Sequence, residues 1–72
     1  MVNIERIRNL REDKDLTQTD IAAILNISQR AYSHYESGSR KIPLDVLMNL
    51  ADYYNCSVDY LLGRTDKKEM NN

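Results

Sequence analysis

The stretch from Gln18 to Tyr35, QTDIAAILNISQRAYSHY, constrains the fold more than any other. Thr17 with Asp20 makes a T-x-x-D start, close to a capping box, so a helix begins there and runs from Gln18 to Leu25. Asn26 and Ile27 form a turn, and Asn tolerates the left-handed conformation better than other non-glycine residues. A second helix opens at Ser28, whose hydroxyl can cap it, and runs to about Glu36. Ile21, Ala22, Leu25, Ile27, Ala31, Tyr32 and Tyr35 are the inward residues of this pair. Ala22 is small where two steeply crossing helices must touch.

The second helix carries a distinct outer stripe. Gln29, Arg30, Ser33, His34 and Ser37 share one face, opposite Ala31, Tyr32 and Tyr35. The stripe holds hydrogen-bonding groups, one full cation and no acid. Gln pairs with adenine edges and Arg with guanine edges in the DNA major groove. Two helices and a tight turn with such a stripe make a helix-turn-helix, whose second helix enters that groove. A plain amphipathic helix with a solvated polar face is the competing reading, and the rest of the chain weakens it.

The chain has 72 residues, enough for one small domain. Net charge is −1, which argues against a protein that coats DNA nonspecifically. Distribution matters more than the sum. From Ser28 to Lys41, Arg30, Arg40 and Lys41 stand against Glu36 alone, whereas Asp45, Asp52 and Asp59 populate Ile42 to Gly63 without a base. The lone cysteine, Cys56, cannot form an internal disulfide and is expected to line the core, which suits a reducing cytoplasm. No apolar run is long enough to span a membrane, and no secretory signal opens the chain.

The flanks supply three more helices. Asn3 can cap a first one to about Asp13, with Ile4, Ile7 and Leu10 inward and Val2 and the stem of Lys14 beside them. Arg8 and Glu12 are spaced for an ion pair on its surface. Gln18 and Thr19 begin the second helix, where free N–H groups suit a phosphate. Gly38 stops the third, and Ser37, Ser39, Arg40 and Lys41 follow it with hydroxyls and cations suited to phosphate contacts. Pro43 is placed to open a fourth helix at its first position, ending at Asn55. Ser57 can cap a short fifth, Val58 to Leu62, ended by Gly63. Val58, Tyr60, Leu61 and Leu62 crowd this last helix, which predicts burial against both the core and a partner chain. A first unit, 1–65, carries this structure, and the polar residues 66–72 read as a disordered tail.

Taken together, Leu16-Thr17-Gln18, Ile21-Ala22, Leu25-Asn26-Ile27-Ser28, Tyr35-Glu36-Ser37-Gly38, Leu50-Ala51 and Ser57 to Leu62 resemble the Cro/C1-type, or Xre, helix-turn-helix domains of phage repressors. The resemblance covers roughly residues 3 to 65 and implies an all-α, five-helix, lambda-repressor-like fold. It implies base reading by Gln29, Arg30, Ser33 and His34. It implies phosphate contacts from Thr17, Gln18, Ser28, Ser37, Ser39, Arg40 and Lys41, and a partly buried ion pair between Arg11 and Glu36. Asn26 stands where many relatives have glycine. The family usually works as a symmetric homodimer on a near-palindromic site, with recognition helices ~34 Å apart. Val58, Tyr60, Leu61 and Leu62 are then expected at the dimer interface.

The function expected is sequence-specific binding of double-stranded DNA by a small transcriptional regulator, a repressor acting as a homodimer. With no further domain in view, the chain reads as a minimal regulator without a small-molecule ligand. The alternative is an antitoxin or other protein-binding module on the same fold. No enzyme is expected, because no nucleophile cluster, phosphate loop or paired carboxylates stand out. Neither cofactor nor metal is expected. His34 has no cysteine or acid at ligand spacing.

Overall fold

The computed structural model describes residues 2–68 and contains, among them, five helices and no strand. They are α1 (Ile4–Asp13), α2 (Gln18–Leu25), α3 (Gln29–Ser37), α4 (Leu44–Tyr54) and α5 (Val58–Leu61). Four of the five starts are capped by a side chain. Asn3, Thr17, Ser28 and Ser57 each accept from the backbone N–H three residues on. At α2 the box is reciprocal, with the Thr17 N–H also donating to Asp20 Oδ2 at 2.9 Å. That bond, first, and the Thr17 hydroxyl hold the Asp20 carboxyl below the usual carboxylate range. Pro43 differs from expectation. Its ψ of 151° is extended, so it precedes α4 as a cap without a side-chain bond, and Leu44 is the first helical residue.

Left-handed residues close three of these helices. Asn26 ends α2 at φ 58°, Asn55 ends α4 at φ 54°, and Gly38 ends α3 at φ 84°. Gly38 has a second reason to be glycine. A Cβ there would lie 3.0 Å from Ile4 Cδ1, so α1 packs closely over the end of α3.

The core gathers one face from every helix. Ile7, Ile21, Tyr32, Leu50 and Leu61 are its fully buried anchors, one from each of α1 to α5. Ala22 and Leu25 are also buried, while Ile27 and Tyr35 pack against the core only partly covered. Cys56 joins the core at 0% exposure, and burial pushes its thiol up, away from the reactive thiolate. Lys14 is exposed rather than packed inward, with its ammonium 5.8 Å from the Tyr53 ring.

Hydrogen bonds reach the segment after α5 as far as Lys68. Arg6 Nη1 donates to the carbonyls of Tyr60 and Thr65, at 2.9 and 2.8 Å, and Ser57 N donates to Lys68 O at 3.1 Å. The segment after α5 is thus tied back to α1 and to the start of α5. Backbone carbonyls are its anchors, which explains why polar composition gives no sign of it. The remainder of the expected tail, 69–72, lies outside the described residues.

Candidate nucleic-acid interface

The capping geometry sets α3 against α2 with its polar face outward. Gln29 and Arg30 are exposed, and Ser33 and His34 are half-buried. α3 is nine residues long, or about 13 Å. At its start, Gln29 Nε2 donates to Gln18 Oε1 at 3.3 Å, joining the first turns of α2 and α3. The N–H groups of Gln18 and Thr19 have no partner among the described residues, so this helix end is open to an anion. Thr17 and Ser28 already accept at their hydroxyl oxygens from Asp20 N and Ala31 N, and each keeps its own proton to donate.

The far end of α3 runs into a loop tied back by local hydrogen bonds. Ser37 Oγ donates to His34 O, and the hydroxyls of Ser37 and Ser39 lie 2.8 Å apart. Arg40 N also donates to His34 O, folding the loop back along the helix. Arg30, Arg40 and Lys41 are exposed, and none makes an ion pair among the described residues. Their charge is available to an outside anion.

Glu36, the acid of this section, is not on that face. It is 3% exposed and takes a bidentate pair from Arg11, whose Nε and Nη2 each lie 2.9 Å from a carboxylate oxygen. The Tyr32 hydroxyl donates to the same carboxylate, and Gln18 Nε2 donates at 3.2 Å. Burial pushes the Glu36 carboxyl up, but the bonds from Arg11, Tyr32 and Gln18 outweigh it and hold it below the ordinary carboxylate range. The bond to Glu36, set against the cost of burial, raises the Arg11 guanidinium. Burial, then the bond to Glu36, pushes the Tyr32 hydroxyl up.

The network is wider than the sequence suggests. Arg8 Nε lies 3.7 Å from Glu36 Oε1, so Arg8 turns toward α3 and makes no ion pair with Glu12. The deep carboxylate draws it where helix spacing alone favours the neighbour one turn on. Gln18, expected at a phosphate, has its side-chain amide held between Glu36 and Gln29. Nothing in the residue types marks these links, which join α1, α2 and α3 across long sequence separations.

On α5, one of the four residues expected at an interface needs correction. Leu61 is 0% exposed and belongs to this chain's own core, so it offers nothing to a partner. Val58, Tyr60 and Leu62 are half-buried against that core, and the Tyr60 ring faces the Arg6 guanidinium at 4.1 Å. A four-residue helix closing a small core spends most of its apolar surface on closing it.

Among the described residues, no group of three or more His, Cys, Asp and Glu side chains could hold a metal, and no helix is long and apolar enough to cross a membrane. A family model described as helix-turn-helix matches residues 7–61. The HTH-type transcriptional regulator YobD of Bacillus subtilis is 45% identical over 62 residues, 86% of this chain and 55% of that protein. The cryptic phage CTXphi transcriptional repressor RstR of Vibrio cholerae is 36% identical over 67 residues, 90% of this chain and 60% of that protein. A crystal structure of a transcriptional regulator from Listeria innocua matches at a TM-score of 0.79 and 30% identity, over 96% of this chain and 64% of that one. The chain therefore spans little more than half the length of these curated relatives. It belongs to the helix-turn-helix family, in its Cro/C1-type branch.

Proposed function

We propose that this chain binds double-stranded DNA sequence-specifically as the reading unit of a transcriptional regulator, a repressor acting as a homodimer on a near-palindromic site. One observation carries the reading. The outward face of α3 and its following loop present Gln29, Arg30, Arg40 and Lys41 unpaired by acids, because Glu36 is drawn into the core. Gln29, Arg30, Ser33 and His34 line the face that enters the major groove. The open start of α2, with Thr17 and Gln18, holds phosphate at one end of α3. Ser37, Ser39, Arg40 and Lys41 hold it at the other, and Ser28 lies between them. The repressor assignment draws support from the likeness to a protein named as a repressor.

A salt titration tests this. Binding to DNA from upstream of the chain's own gene is compared with scrambled DNA of equal length. The expected outcome is a steep fall of affinity with salt and a preference of about a thousandfold or more. Equal and weak binding to both at every salt concentration overturns specific reading from that site. Capture of a protein partner instead would favour the antitoxin-like role.

A further inference from the structure

Helix α1 carries a cation whose charge no acid of its own matches. Ile4, Arg8 and Arg11 share one face of α1, and that face lies along α3. Ile4 packs over Gly38 at the end of α3. Arg8 Nη2 donates to the Glu36 carbonyl at 3.4 Å. Arg11 reaches the Glu36 carboxylate and the Leu16 carbonyl, beside the start of α2. Arg8 therefore stands between the two places assigned to phosphate, one turn of α1 from Ile4 and from Arg11. Its side chain is 47% exposed, against 13% for Arg11. Its hold on the Glu36 carboxylate is also loose. The Nε lies 3.7 Å from that carboxylate, beyond hydrogen-bond reach, where both Arg11 bonds are 2.9 Å. Without Arg8, Glu36 keeps Arg11, Tyr32 and Gln18 as donors. One carboxylate thus faces two guanidinium groups, and Arg11 already matches its charge. Glu5 and Glu12 stand one turn away on α1, yet neither pairs with Arg8 among the described residues.

We infer that Arg8 is a phosphate ligand for duplex DNA, the contribution of α1 to the interface proposed above, on whose DNA binding it rests. Only Nη2 of this guanidinium is hydrogen-bonded among the described residues, through a long bond to a neutral carbonyl. The group is planar, so one edge can stay on that carbonyl while the other takes a phosphate oxygen. The Glu36 carbonyl is one residue from Ser37, where the loop toward Arg40 and Lys41 begins, so the bond sets the guanidinium beside that loop. A lysine ammonium would serve either the carbonyl or the phosphate at close range. The competing role is a second counter-charge for Glu36, which would act on stability and not on DNA.

Salt titrations of the parent chain, Arg8→Gln and Arg8→Lys test this, on DNA from upstream of the chain's own gene and on scrambled DNA of equal length. Arg8→Gln should weaken binding to both duplexes and reduce the salt slope by about one. The gap between parent and variant then narrows about 3.5-fold from ~50 to ~200 mM salt. Arg8→Lys keeps the charge and should keep the parent slope. Urea midpoints of both variants should stay close to the parent's, since Glu36 retains its other donors. An unchanged slope in Arg8→Gln overturns the assignment, and a lowered midpoint beside it gives Arg8 to Glu36 alone. Methylphosphonate substitution, which removes one phosphate charge at a time, reads the individual contact. At one position the loss seen with the parent should vanish in Arg8→Gln, and additive losses at every position overturn the inference. A parent chain that binds neither duplex removes the DNA reading and the role of Arg8 with it. Steep salt dependence that Arg8→Gln leaves untouched removes Arg8 alone. Equal affinity for both duplexes, with the slope still falling in Arg8→Gln, removes sequence reading and leaves Arg8 on phosphate.

Discussion

Arg11→Met should be the most damaging single change outside the apolar core. Glu36 is 3% exposed, and Arg11 supplies two of its hydrogen bonds, each 2.9 Å long. Removing one partner of a buried pair costs ~3–5 kcal/mol, because the other charge stays buried without compensation. Here the Tyr32 hydroxyl, the Gln18 amide and the more distant Arg8 remain, which places the loss near the lower end. Arg11 also donates to Leu16 O at 2.7 Å, a bond worth about 1 kcal/mol. The total is about 3–4 kcal/mol, against roughly 4–11 kcal/mol expected for a 72-residue chain. Urea denaturation at neutral pH, followed by far-UV circular dichroism, should lower the midpoint by ~2–3 M at a slope near ~1.3 kcal/mol/M. Pairing Arg11→Met with Glu36→Met should recover much of the loss, since an apolar replacement of a buried pair is often neutral. A loss below ~1 kcal/mol would refute the argument, because it would mean the carboxylate reaches water once Arg11 is gone.

The remaining expectations concern pH, the reading face and the end of α3. Glu36 is held below its unfolded value, so the unfolded chain takes up this proton first as pH falls. Its stabilisation is complete above the unfolded value of ~4.3 and is lost as pH drops through the folded value. Glu36→Gln should flatten the decline between neutral and strongly acidic pH, and an unchanged slope would assign the acid sensitivity to other carboxylates. Arg30→Ala should weaken specific binding by ~1–3 kcal/mol and relax the preference at one base, read by competition with single-base variants. Arg40→Ala should weaken binding to every sequence and reduce the salt slope by about one. If the slope does not move, Arg40 is off the backbone. Gly38→Ala should cost ~1–2 kcal/mol from the positive φ alone, with more from Ile4 Cδ1 at 3.0 Å. A thermal midpoint equal to the parent's would contradict that close approach.

The elements were legible in the sequence because their signals are local. Thr17 and Asp20, Ser28, Asn26, Gly38 and Ser57 each act within three or four residues, and the structure uses every one as cap or turn. The inward stripe of α2 and α3 was legible for the same reason, since periodicity alone selects it. Long-range polar links were not. Arg8 turning to Glu36, Gln18 joining Glu36 to Gln29, and Arg6 reaching the carbonyls of Tyr60 and Thr65 depend on how helices cross. The burial of Leu61 was not legible either, because apolar content does not say on which side it is spent. Leu61 fills the core, while Leu44 stays in water.

The fate of Glu36 links stability to recognition. As a sequence sum, the section from Ser28 to Lys41 holds three cations and one acid. In the fold the acid is withdrawn and neutralised from α1, so the surface keeps the cations alone. Salt bridges buried this deeply seldom stabilise more than apolar packing would. An apolar replacement could match the packing, but it would leave Gln18 without its acceptor and Gln29 without a fixed neighbour. The carboxylate therefore does something that a leucine could not. It anchors the start of α2 and the first turn of α3 to each other, at the place where we propose that one holds phosphate and the other reads bases.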